Sequence, residues 1–437
     1  MKSGGSDLTN RLDTAAGYVS FQATLERPAL RCRHCGEDAN LTVADLGMQP
    51  IANDMRQAAE LDRMEPTFPL RAVLCPNCLL VQAQEVQSAR QLFNSHYTYF
   101  SSYAESMLQQ AKKYAHECID RFGLDRSSRV VEIACNDGYL LRWFKEADIP
   151  VAGVEPTANT AAAARALGIP VLMDFFGETM AREMLAQGLS ADLMPANNVA
   201  AHVPDINDFV GGFTLLLNPT GVATFEFHHI LSLLEFHQFD AIYHEHFYYH
   251  SLRTFQRILA AKGLQVFDVQ KLPAHGGSLR VFAQRMDTKH HPVEDAVNEI
   301  LAEEERAGLN SPERYLKLEA DIRETKRHFL SALIKIKAEG KSIVAYGAPA
   351  KGNTLLNYAG VRGDFIDYAV DRSPHKQFHY LPGSQIPVYP PDRVSDTKPD
   401  YLLILAWNLV EEIEQQMSFI REWGGQFMIL IPTVRVW

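Results

Sequence analysis

One short stretch limits the possible folds of this chain more than any other: a polar turn at residues 132–138, which separates an apolar segment from a helical pattern. Val130 and Val131 precede the turn, and the apolar residues after it recur with a period near 3.6. Residues 151–155 form a second apolar segment that ends in an acid. The order strand, acidic glycine turn, helix and acid-ended strand predicts the first half of a doubly wound α/β sheet.

The same turn also limits the ligand. In such sheets the ligand lies at the carboxyl end of the first strand, and the acid that ends the second strand accepts ribose hydroxyls. The turn lacks the G-x-G-x-x-G pattern that cradles a dinucleotide diphosphate, which favours S-adenosylmethionine (SAM) over NAD. The alternative is an ordinary βα turn. The candidate cofactor residues are Glu132, Asn136, Asp137, Gly138 and Glu155.

Two later strand ends extend this prediction. Residues 171–176 predict a third strand and an aromatic loop, in which Asp174 and Phe175 can contact an adenine ring. Residues 191–199 predict a fourth strand that ends in Asn197, a further cofactor candidate, and Asn198. His202 follows in the same loop, and loops after the strands of open α/β sheets collect ligands.

Four of the six cysteines form two C-x-x-C pairs near the amino terminus. Each pair can place two thiolates on one ion, and two pairs complete a tetrahedral zinc site. Four thiolates leave no open position, so the predicted zinc is structural and stabilises a domain with a small core. The alternatives are redox pairs and free thiols. The predicted ligands are Cys32, Cys35, Cys75 and Cys78.

The densest polar cluster is Tyr-His-Glu-His-Phe-Tyr-Tyr-His at residues 243–250. Burying so many polar groups is costly without a function. Zinc binding is one interpretation, but no third ligand follows at helical spacing. Acid–base chemistry by a histidine oriented by a glutamate or tyrosine fits better. The remaining alternative is a solvated, histidine-rich loop.

A second α/β unit occupies the last hundred residues. Residues 342–347 predict a strand, residues 348–354 a small-residue turn into a helix, and residues 365–371 a strand that ends in an acid. Lys351 lies near the helix amino terminus, where phosphate binds well. The alternative is a purely structural turn. Lys351 and Asn353 are therefore the candidate substrate contacts of this unit.

The composition bounds size and class. At 437 residues the chain has room for about three domains of roughly 100–200 residues each. A net charge of −11 weighs against a nucleic-acid-binding protein. No apolar run approaches the roughly 20 residues of a membrane span, and the first residues lack the apolar core of a secretory signal. We therefore expect a soluble cytoplasmic protein that binds neither nucleic acid nor membrane.

Several motifs occur here in one order: the two C-x-x-C pairs, E-I-A-C-N-D-G, A-N-N-V with H-V-P-D, Y-H-E-H-F-Y, H-G-G-S-L-R-V and A-Y-G-A-P-A-K-G-N-T-L-L-N. The set resembles the SAM-dependent sugar C-methyltransferases that act on nucleotide-linked 4-keto-6-deoxyhexoses, over roughly residues 30–437. The resemblance implies an α/β protein of three domains. After a flexible tail (1–28) come a zinc-binding domain (29–93), a doubly wound SAM-binding domain (94–288) and a Rossmann-like domain that holds the sugar nucleotide (289–437).

The resemblance also implies roles for single residues. His246 matches the family's catalytic base, and Tyr243 and Glu245 lie beside it in the same motif. The four paired cysteines match the zinc ligands. Sugar-side positions of the family match Tyr97, Asn198 and His202.

The resulting hypothesis is proton abstraction by His246 from C3, next to a C4 ketone, followed by methyl transfer from SAM to the enolate carbon. Tyr97 or Tyr243 is then positioned to donate to the enolate oxygen. Two other classes of function stay open: an RNA methyltransferase with a zinc ribbon, and a sugar-nucleotide-binding protein without catalysis. A metal-dependent hydrolase fits least, because the predicted zinc site is closed.

Overall fold

A computed structural model describes residues 30–93 and 99–437 of the chain. The predicted tail (1–28) and the loop residue Tyr97 fall on residues 1–29 and 94–98, which lie outside the described ranges. The described residues form three sheet-containing parts, which are taken below in chain order.

The amino-terminal part is an antiparallel β structure. A two-stranded ribbon carries the first C-x-x-C turn between its strands, and the second C-x-x-C turn joins two strands of a larger sheet. That larger sheet has the order β11–β5–β4–β3, in which β11 (Tyr248–Tyr249) comes from much later in the chain. The elements are β1 (Leu30–Arg31), β2 (Asp38–Ala39), β3 (Leu41–Gln49), β4 (Phe68–Leu74), β5 (Val81–Ala83) and the short helix α1 (Ala89–Leu92).

The central part is a seven-stranded sheet of order β12–β13–β10–β9–β6–β7–β8, in which β13 runs antiparallel to its neighbours. The strand of this sheet that comes first in the chain is β6. It lies between β9 and β7, so the strand order reverses there, as in a doubly wound fold. The strands are β6 (Val130–Ile133), β7 (Val151–Val154), β8 (Val171–Leu172), β9 (Ala191–Asn197), β10 (Leu217–His228), β12 (Leu264–Leu272) and β13 (Ser278–Arg285).

Helices cover both faces of the central sheet. These helices are α2 (Glu105–Phe122), α3 (Leu141–Glu146), α4 (Ala158–Ala166), α5 (Glu178–Ala186), α6 (Ile206–Leu216) and α8 (Leu252–Ala261), whereas α7 (Ile230–Glu235) packs in the core shared by the amino- and carboxy-terminal parts. In α2 the buried residues Ala111, Tyr114, Ala115 and Cys118 recur at helical spacing and form one apolar face. The helix ends at Gly123, which adopts the left-handed conformation (φ 61°) that glycine allows.

The carboxy-terminal part is a second, smaller sheet of order β16–β15–β14–β17–β18–β19, with only β19 antiparallel. Its order also reverses beside its first strand, β14. The strands are β14 (Ile343–Tyr346), β15 (Ala369–Val370), β16 (Val388–Tyr389), β17 (Tyr401–Ile404), β18 (Gln426–Ile429) and β19 (Arg435–Val436). The helix α9 (Asp295–Arg306) comes before this part and packs against β12 and α8 of the central part. The helices that follow are α10 (Pro312–Leu316), α11 (Leu318–Ala338), α12 (Ala350–Ala359), α13 (Arg393–Thr397) and α14 (Val410–Gln416).

One strand joins the parts together. β11 (Tyr248–Tyr249) belongs to the central part in sequence, yet it pairs with β5 of the amino-terminal sheet. The amino-terminal part also pairs with the carboxy-terminal part, because Arg56 and Tyr380 exchange both backbone hydrogen bonds. The predicted three-part α/β architecture is thus confirmed, and the histidine-rich segment lies where the parts meet.

Among the helices in the described ranges, none combines the length and the apolar composition that crossing a bilayer requires.

Candidate active site and zinc centre

The four paired cysteines converge on one point. The Sγ atoms of Cys32 and Cys78 lie 3.5 Å apart, as do those of Cys35 and Cys75, and all four lie within 4.8 Å of one another. A tetrahedral Zn–S distance of about 2.3 Å requires sulfur–sulfur distances of about 3.8 Å. The donor set therefore fits a four-thiolate zinc site, in which each C-x-x-C turn supplies two of the four ligands.

The turn after β6 is built from tight contacts. Asn136 and Gly138 have positive φ angles of 49° and 78°. A Cβ on Gly138 would lie 2.6 Å from Cδ1 of Ile169, so a side chain would displace the turn. The backbone nitrogen of Asn136 donates to Glu155 over 2.9 Å, which ties the first strand's turn to the acid that ends the second strand.

Glu155 is almost fully buried, and burial raises the pKa of its carboxyl group. One of its oxygens accepts from Asn136 N, and the other accepts from the backbone nitrogen and the hydroxyl of Thr157. Each carboxylate oxygen has two lone pairs, so capacity for ribose hydroxyls remains.

Three buried acceptors around this turn have no hydrogen-bond partner within the described part of the chain: Glu132 Oε2, Asp137 Oδ1 and Asn197 Oδ1. Unpaired buried acceptors are rare because each costs free energy. Two of them are carboxylates, so the group that satisfies them carries donors and favours positive charge. The ammonium group and ribose hydroxyls of SAM would supply the donors, and its ammonium and sulfonium would supply the positive charge.

The other two predicted cofactor residues lie nearer the surface. Asp174 accepts from Arg90 over 3.1 Å, and the Arg90 guanidinium lies 5.2 Å from the centre of the Phe175 ring. Phe175 also donates its backbone nitrogen to Asp174 over 2.8 Å. This pair borders the turn after β8 and is half-buried.

A loop before α2 covers the cofactor turn. The backbone nitrogens of Ser101 and Ser102 donate to the side chains of Asn136 and Asp137, over 3.0 Å and 3.1 Å. Asn136 Nδ2 donates in return to the Tyr99 carbonyl over 3.2 Å. The turn is therefore held from outside the sheet as well as from within it.

His246 has both ring nitrogens engaged. Its Nδ1 lies 2.8 Å from the Ala241 carbonyl, which only accepts, so Nδ1 carries the proton. Its Nε2 lies 2.6 Å from the Tyr243 hydroxyl and is left as an acceptor. Burial lowers the pKa of His246 well below its usual range, with the charge of nearby Lys351 among the lesser causes. The imidazole is therefore neutral near pH 7 and has its basic nitrogen directed at Tyr243.

The loop after β9 lies against this imidazole. The His202 ring centre is 4.7 Å from that of His246, and His202 Nδ1 donates to the Glu245 carbonyl over 2.8 Å. Burial lowers the pKa of His202 to about 4. Asn198 has a positive φ of 58°, and its side chain lies 3.4 Å from Glu226.

Glu245 points toward the amino- and carboxy-terminal parts. Its carboxylate accepts from Asn53 Nδ2 over 2.7 Å. Burial raises the pKa of Glu245 to about 7, and the hydrogen bond from Asn53 and the charge of Lys376 oppose that rise. Asn53 and Lys376 were not predicted as site residues, because nothing in their local sequence distinguishes them from ordinary polar residues.

The candidate substrate residues of α12 are held by contacts with other parts of the fold. Lys351 Nζ donates to the His275 carbonyl over 3.2 Å and lies 4.9 Å from the Trp407 ring centre. Asn353 donates to the Ala52 carbonyl over 2.6 Å, and its Oδ1 is buried without a partner in the described ranges. Burial lowers the pKa of Lys351, and burial with the Lys351 charge lowers the pKa of His275 to about 3.

The predicted site residues fall into two groups in the structure, one around the cofactor turn and one around His246. The loop after β9, the 243–250 segment and α12 contribute His202, His246 and Lys351 to one cluster of bases between the three parts of the fold. The cofactor turn lies at the carboxyl edge of the central sheet. Tyr97 lies outside the described residues.

Three family models match successive segments of the chain. A zinc binding domain matches residues 32–93, a methyltransferase domain matches residues 104–269, and a C-methyltransferase C-terminal domain matches residues 273–432. The last match begins before β13, which the structure assigns to the central sheet. The predicted boundaries at 93 and 288 remain predictions.

A curated relative matches nearly the whole chain. C-methyltransferase NovU from Streptomyces niveus is 36% identical over 410 residues, which cover 94% of this chain and 97% of the relative. Among solved structures, the chain is similar to magnesium protoporphyrin IX methyltransferase of Synechocystis PCC 6803 with bound SAM (15% identity, TM-score 0.32, 41% of this chain and 79% of that chain). The mitomycin 7-O-methyltransferase MmcR is a further example (16% identity, TM-score 0.32, 42% and 55%).

A doubly wound sheet with a nucleoside-type turn, joined to a four-cysteine metal domain, defines a zinc-containing methyltransferase. Its relatives narrow that class, and the chain belongs to the C-methyltransferase family that includes NovU. It is a SAM-dependent enzyme that transfers a methyl group to carbon, with a zinc-binding amino-terminal domain. The predicted family, enzyme class and cofactors are thereby confirmed.

Proposed function

We propose that this enzyme methylates C3 of a nucleoside-diphosphate-linked 4-keto-6-deoxyhexose. The observation that carries the proposal is the cluster formed by Tyr243, His246, His202 and Lys351. It combines a neutral imidazole, a phenol within 2.6 Å of it and a buried ammonium group. Deprotonation next to a ketone needs a base, a donor for the enolate oxygen and a binding site for an anionic substrate, and this cluster contains all three.

His246 is the proposed base. A C4 carbonyl acidifies the neighbouring C3–H bond, and Nε2 accepts that proton when Tyr243 turns its hydroxyl from His246 to the developing C4 oxyanion. The Nδ1 bond to the Ala241 carbonyl keeps the ring in the tautomer with a free Nε2 lone pair. Because its pKa is lowered, His246 is ready to accept a proton throughout the neutral range.

Glu132, Asn136, Asp137 and Glu155 are the proposed SAM-binding residues of the cofactor turn. When bound there, SAM supplies the electrophilic methyl group that the enolate carbon attacks. The chain's own contribution is alignment, because a fixed orientation of two reactants removes much of the entropic barrier. The acidic turn also favours the cationic methyl donor over its neutral product.

The nucleotide is assigned to the carboxy-terminal part. Asp371, at the end of β15, accepts from Ala348 N over 2.7 Å and from Ser373 N over 2.8 Å, so it bridges the first turn as Glu155 does in the central sheet. A cavity of about 380 Å³ adjoins it at the carboxyl edge of the same sheet. That cavity is lined by Tyr346, Arg372, Pro391, Asp392, Ser395, Gln416, Met417 and Phe419.

This arrangement supports a path for the whole substrate. A base and ribose near Asp371 would leave the diphosphate near Lys351, and the sugar would then extend to His246. Asn353, whose Oδ1 is unpaired among the described residues, is a further contact on that path.

The four thiolates have a structural role in this proposal. Zinc thiolates persist in reducing compartments, so we place the enzyme in the cytoplasm. Four cysteines complete a tetrahedral coordination shell, so a zinc ion held by them would have no open position for substrate.

The test is a mass-spectrometric screen of nucleoside-diphosphate 4-keto-6-deoxyhexoses with SAM, which should find a product heavier by one methyl group. His246→Asn should lower kcat by at least about 100-fold, because positioned general bases contribute that much or more. Its dissociation constant for SAM, measured by titration calorimetry, should stay within about twofold of wild type.

His328→Asn is the matched control, since the His328 side chain is 70% exposed on α11 and pairs with Glu324 on the same helix. Substantial turnover by His246→Asn would contradict the base assignment. Methyl transfer to RNA, or binding of a sugar nucleotide without methylation of any keto sugar, would contradict the proposed reaction.

A further inference from the structure

The zinc domain reaches the proposed base through one arginine inside its first C-x-x-C turn. Arg33 Nη1 donates to the Phe247 carbonyl over 3.3 Å, and its Nη2 donates to the Ala83 carbonyl over 2.9 Å. Its guanidinium also lies 5.3 Å and 5.5 Å from the ring centres of Phe247 and Tyr248. Phe247 follows His246 directly in the chain.

Phe247 is fixed from several directions at once. Its carbonyl also accepts from Ala83 N over 3.0 Å, where β11 joins the sheet of the zinc domain. Its own backbone nitrogen donates to the Ala201 carbonyl over 2.6 Å, in the loop after β9. The backbone on the carboxyl side of His246 is therefore bound to the zinc domain and to the central sheet.

The C-x-x-C turn that carries Arg33 is anchored to the central sheet as well. Asn207, in the first turn of α6, donates to the carbonyls of Arg33 and His34 over 3.1 Å and 3.0 Å. Its Oδ1 lies 2.9 Å from His34 Nδ1. Arg33 N donates to Gln82 Oε1 over 3.0 Å. These hydrogen bonds hold the backbone of the turn in place, and the Arg33 guanidinium extends from it.

We propose that Arg33 is a positioning residue for His246, so that the zinc-bound turn orients the catalytic imidazole in addition to stabilising its own domain. Arg33 fixes the Phe247 carbonyl, and the Phe247 peptide in turn fixes the direction of the His246 side chain toward Tyr243 and Ala241. Two bonds from one planar guanidinium to two carbonyls define an orientation that a single donor does not. The inference rests on the proposed role of His246.

Arg33→Ala should lower kcat by about 10- to 100-fold, because a displacement near 1 Å can cost a factor of that order. The KM and dissociation constant for SAM should stay within about twofold of wild type, since Arg33 contacts no residue of the cofactor turn. Zinc content, measured by atomic absorption, should remain one ion per chain. The substrate probe is the nucleoside-diphosphate 4-keto-6-deoxyhexose that wild type methylates.

A second readout needs no substrate. In protein labelled with ¹⁵N-histidine, the His246 resonances, assigned by their loss in His246→Asn, should report the Nδ1-protonated tautomer in wild type. Arg33→Ala should show a mixture of tautomers, because the bonds to Ala241 and Tyr243 loosen. This spectrum tests the positioning role even if the proposed sugar reaction proves wrong.

Two variants complete the design. Arg31→Ala is the control, because Arg31 is an exposed arginine beside the same turn, and its side chain contacts Gly36 and Asp38. Arg33→Lys keeps the charge and the stem but not the paired bonds, so kcat should fall about 3- to 10-fold. Wild-type kcat and wild-type histidine spectra in a zinc-loaded Arg33→Ala or Arg33→Lys protein would overturn the proposal.

Discussion

The central and carboxy-terminal sheets share one hydrogen-bond pattern at the end of their second strand, but the charged residues around it differ. In each sheet, an acid at the end of the second strand accepts from the turn after the first strand and from the residue two positions beyond itself: Glu155 in one, Asp371 in the other. Near Glu155, the buried groups left unpaired among the described residues include two carboxylate acceptors, Glu132 Oε2 and Asp137 Oδ1.

The surroundings of Asp371 are basic instead. Lys376 donates to the Ala348 carbonyl over 2.9 Å within the turn itself, and Lys351 lies in the first turn of the following helix. We therefore propose that the two sheets favour ligands of opposite charge: a cation at the central turn and an anion at the carboxy-terminal turn. The predictions below test that division.

The largest effect is expected at the proposed anion-binding site of the carboxy-terminal part. Lys351→Met should raise the KM for the sugar nucleotide about 100-fold, since truncating a buried charged partner costs about 3 kcal/mol. Calorimetric titration with SAM should give an unchanged dissociation constant. Lys398→Met, which alters an exposed lysine of the same domain, is the control. Weaker SAM binding in Lys351→Met would show that the two ligand sites are not separate.

A smaller, reciprocal pair of effects is expected at the two acids. Glu155→Gln should weaken SAM binding about 10- to 100-fold, because hydrogen bonds to a charged group contribute about 1.5–3 kcal/mol. Asp371→Asn should do the same to the nucleoside diphosphate and leave SAM binding unaltered. Both dissociation constants are measured for both variants, and a variant that weakens both ligands equally would contradict the division.

Between the two sheets, Glu245 gives a pH-dependent effect on stability. Burial raises its pKa to about 7, so the folded protein retains a proton that the unfolded chain loses near pH 4.5. The free energy of unfolding should therefore decrease as pH rises from about 4.5 to 7, by up to about 3 kcal/mol from this group. In denaturant titrations Glu245→Gln should remove that slope. An unchanged slope would show that Glu245 ionises normally.

Local sequence predicted the parts of this site that depend on short-range patterns. The C-x-x-C pairs, the turn at 132–138 and the Y-H-E-H motif each contain their chemistry within a few residues. The doubly wound sheet followed from strand–turn–helix order alone.

Contacts between distant segments were not predictable in this way. Asn53 meets Glu245 across 192 positions, and Arg33 meets Phe247 across 214. Neither residue lies in a motif for catalysis, and their roles depend on how the three parts of the fold pack together. The short strand Tyr248–Tyr249 was missed for the same reason, since its partner belongs to another domain.

The central claim is that His246 removes the proton from C3 of the sugar, and deuterium exchange tests it most directly. The sugar nucleotide is incubated with enzyme and S-adenosylhomocysteine in D₂O, and the C3 position is followed by NMR. Our account predicts that wild type exchanges the C3 hydrogen without methylation and that His246→Asn does not. Exchange at an undiminished rate in His246→Asn would contradict it.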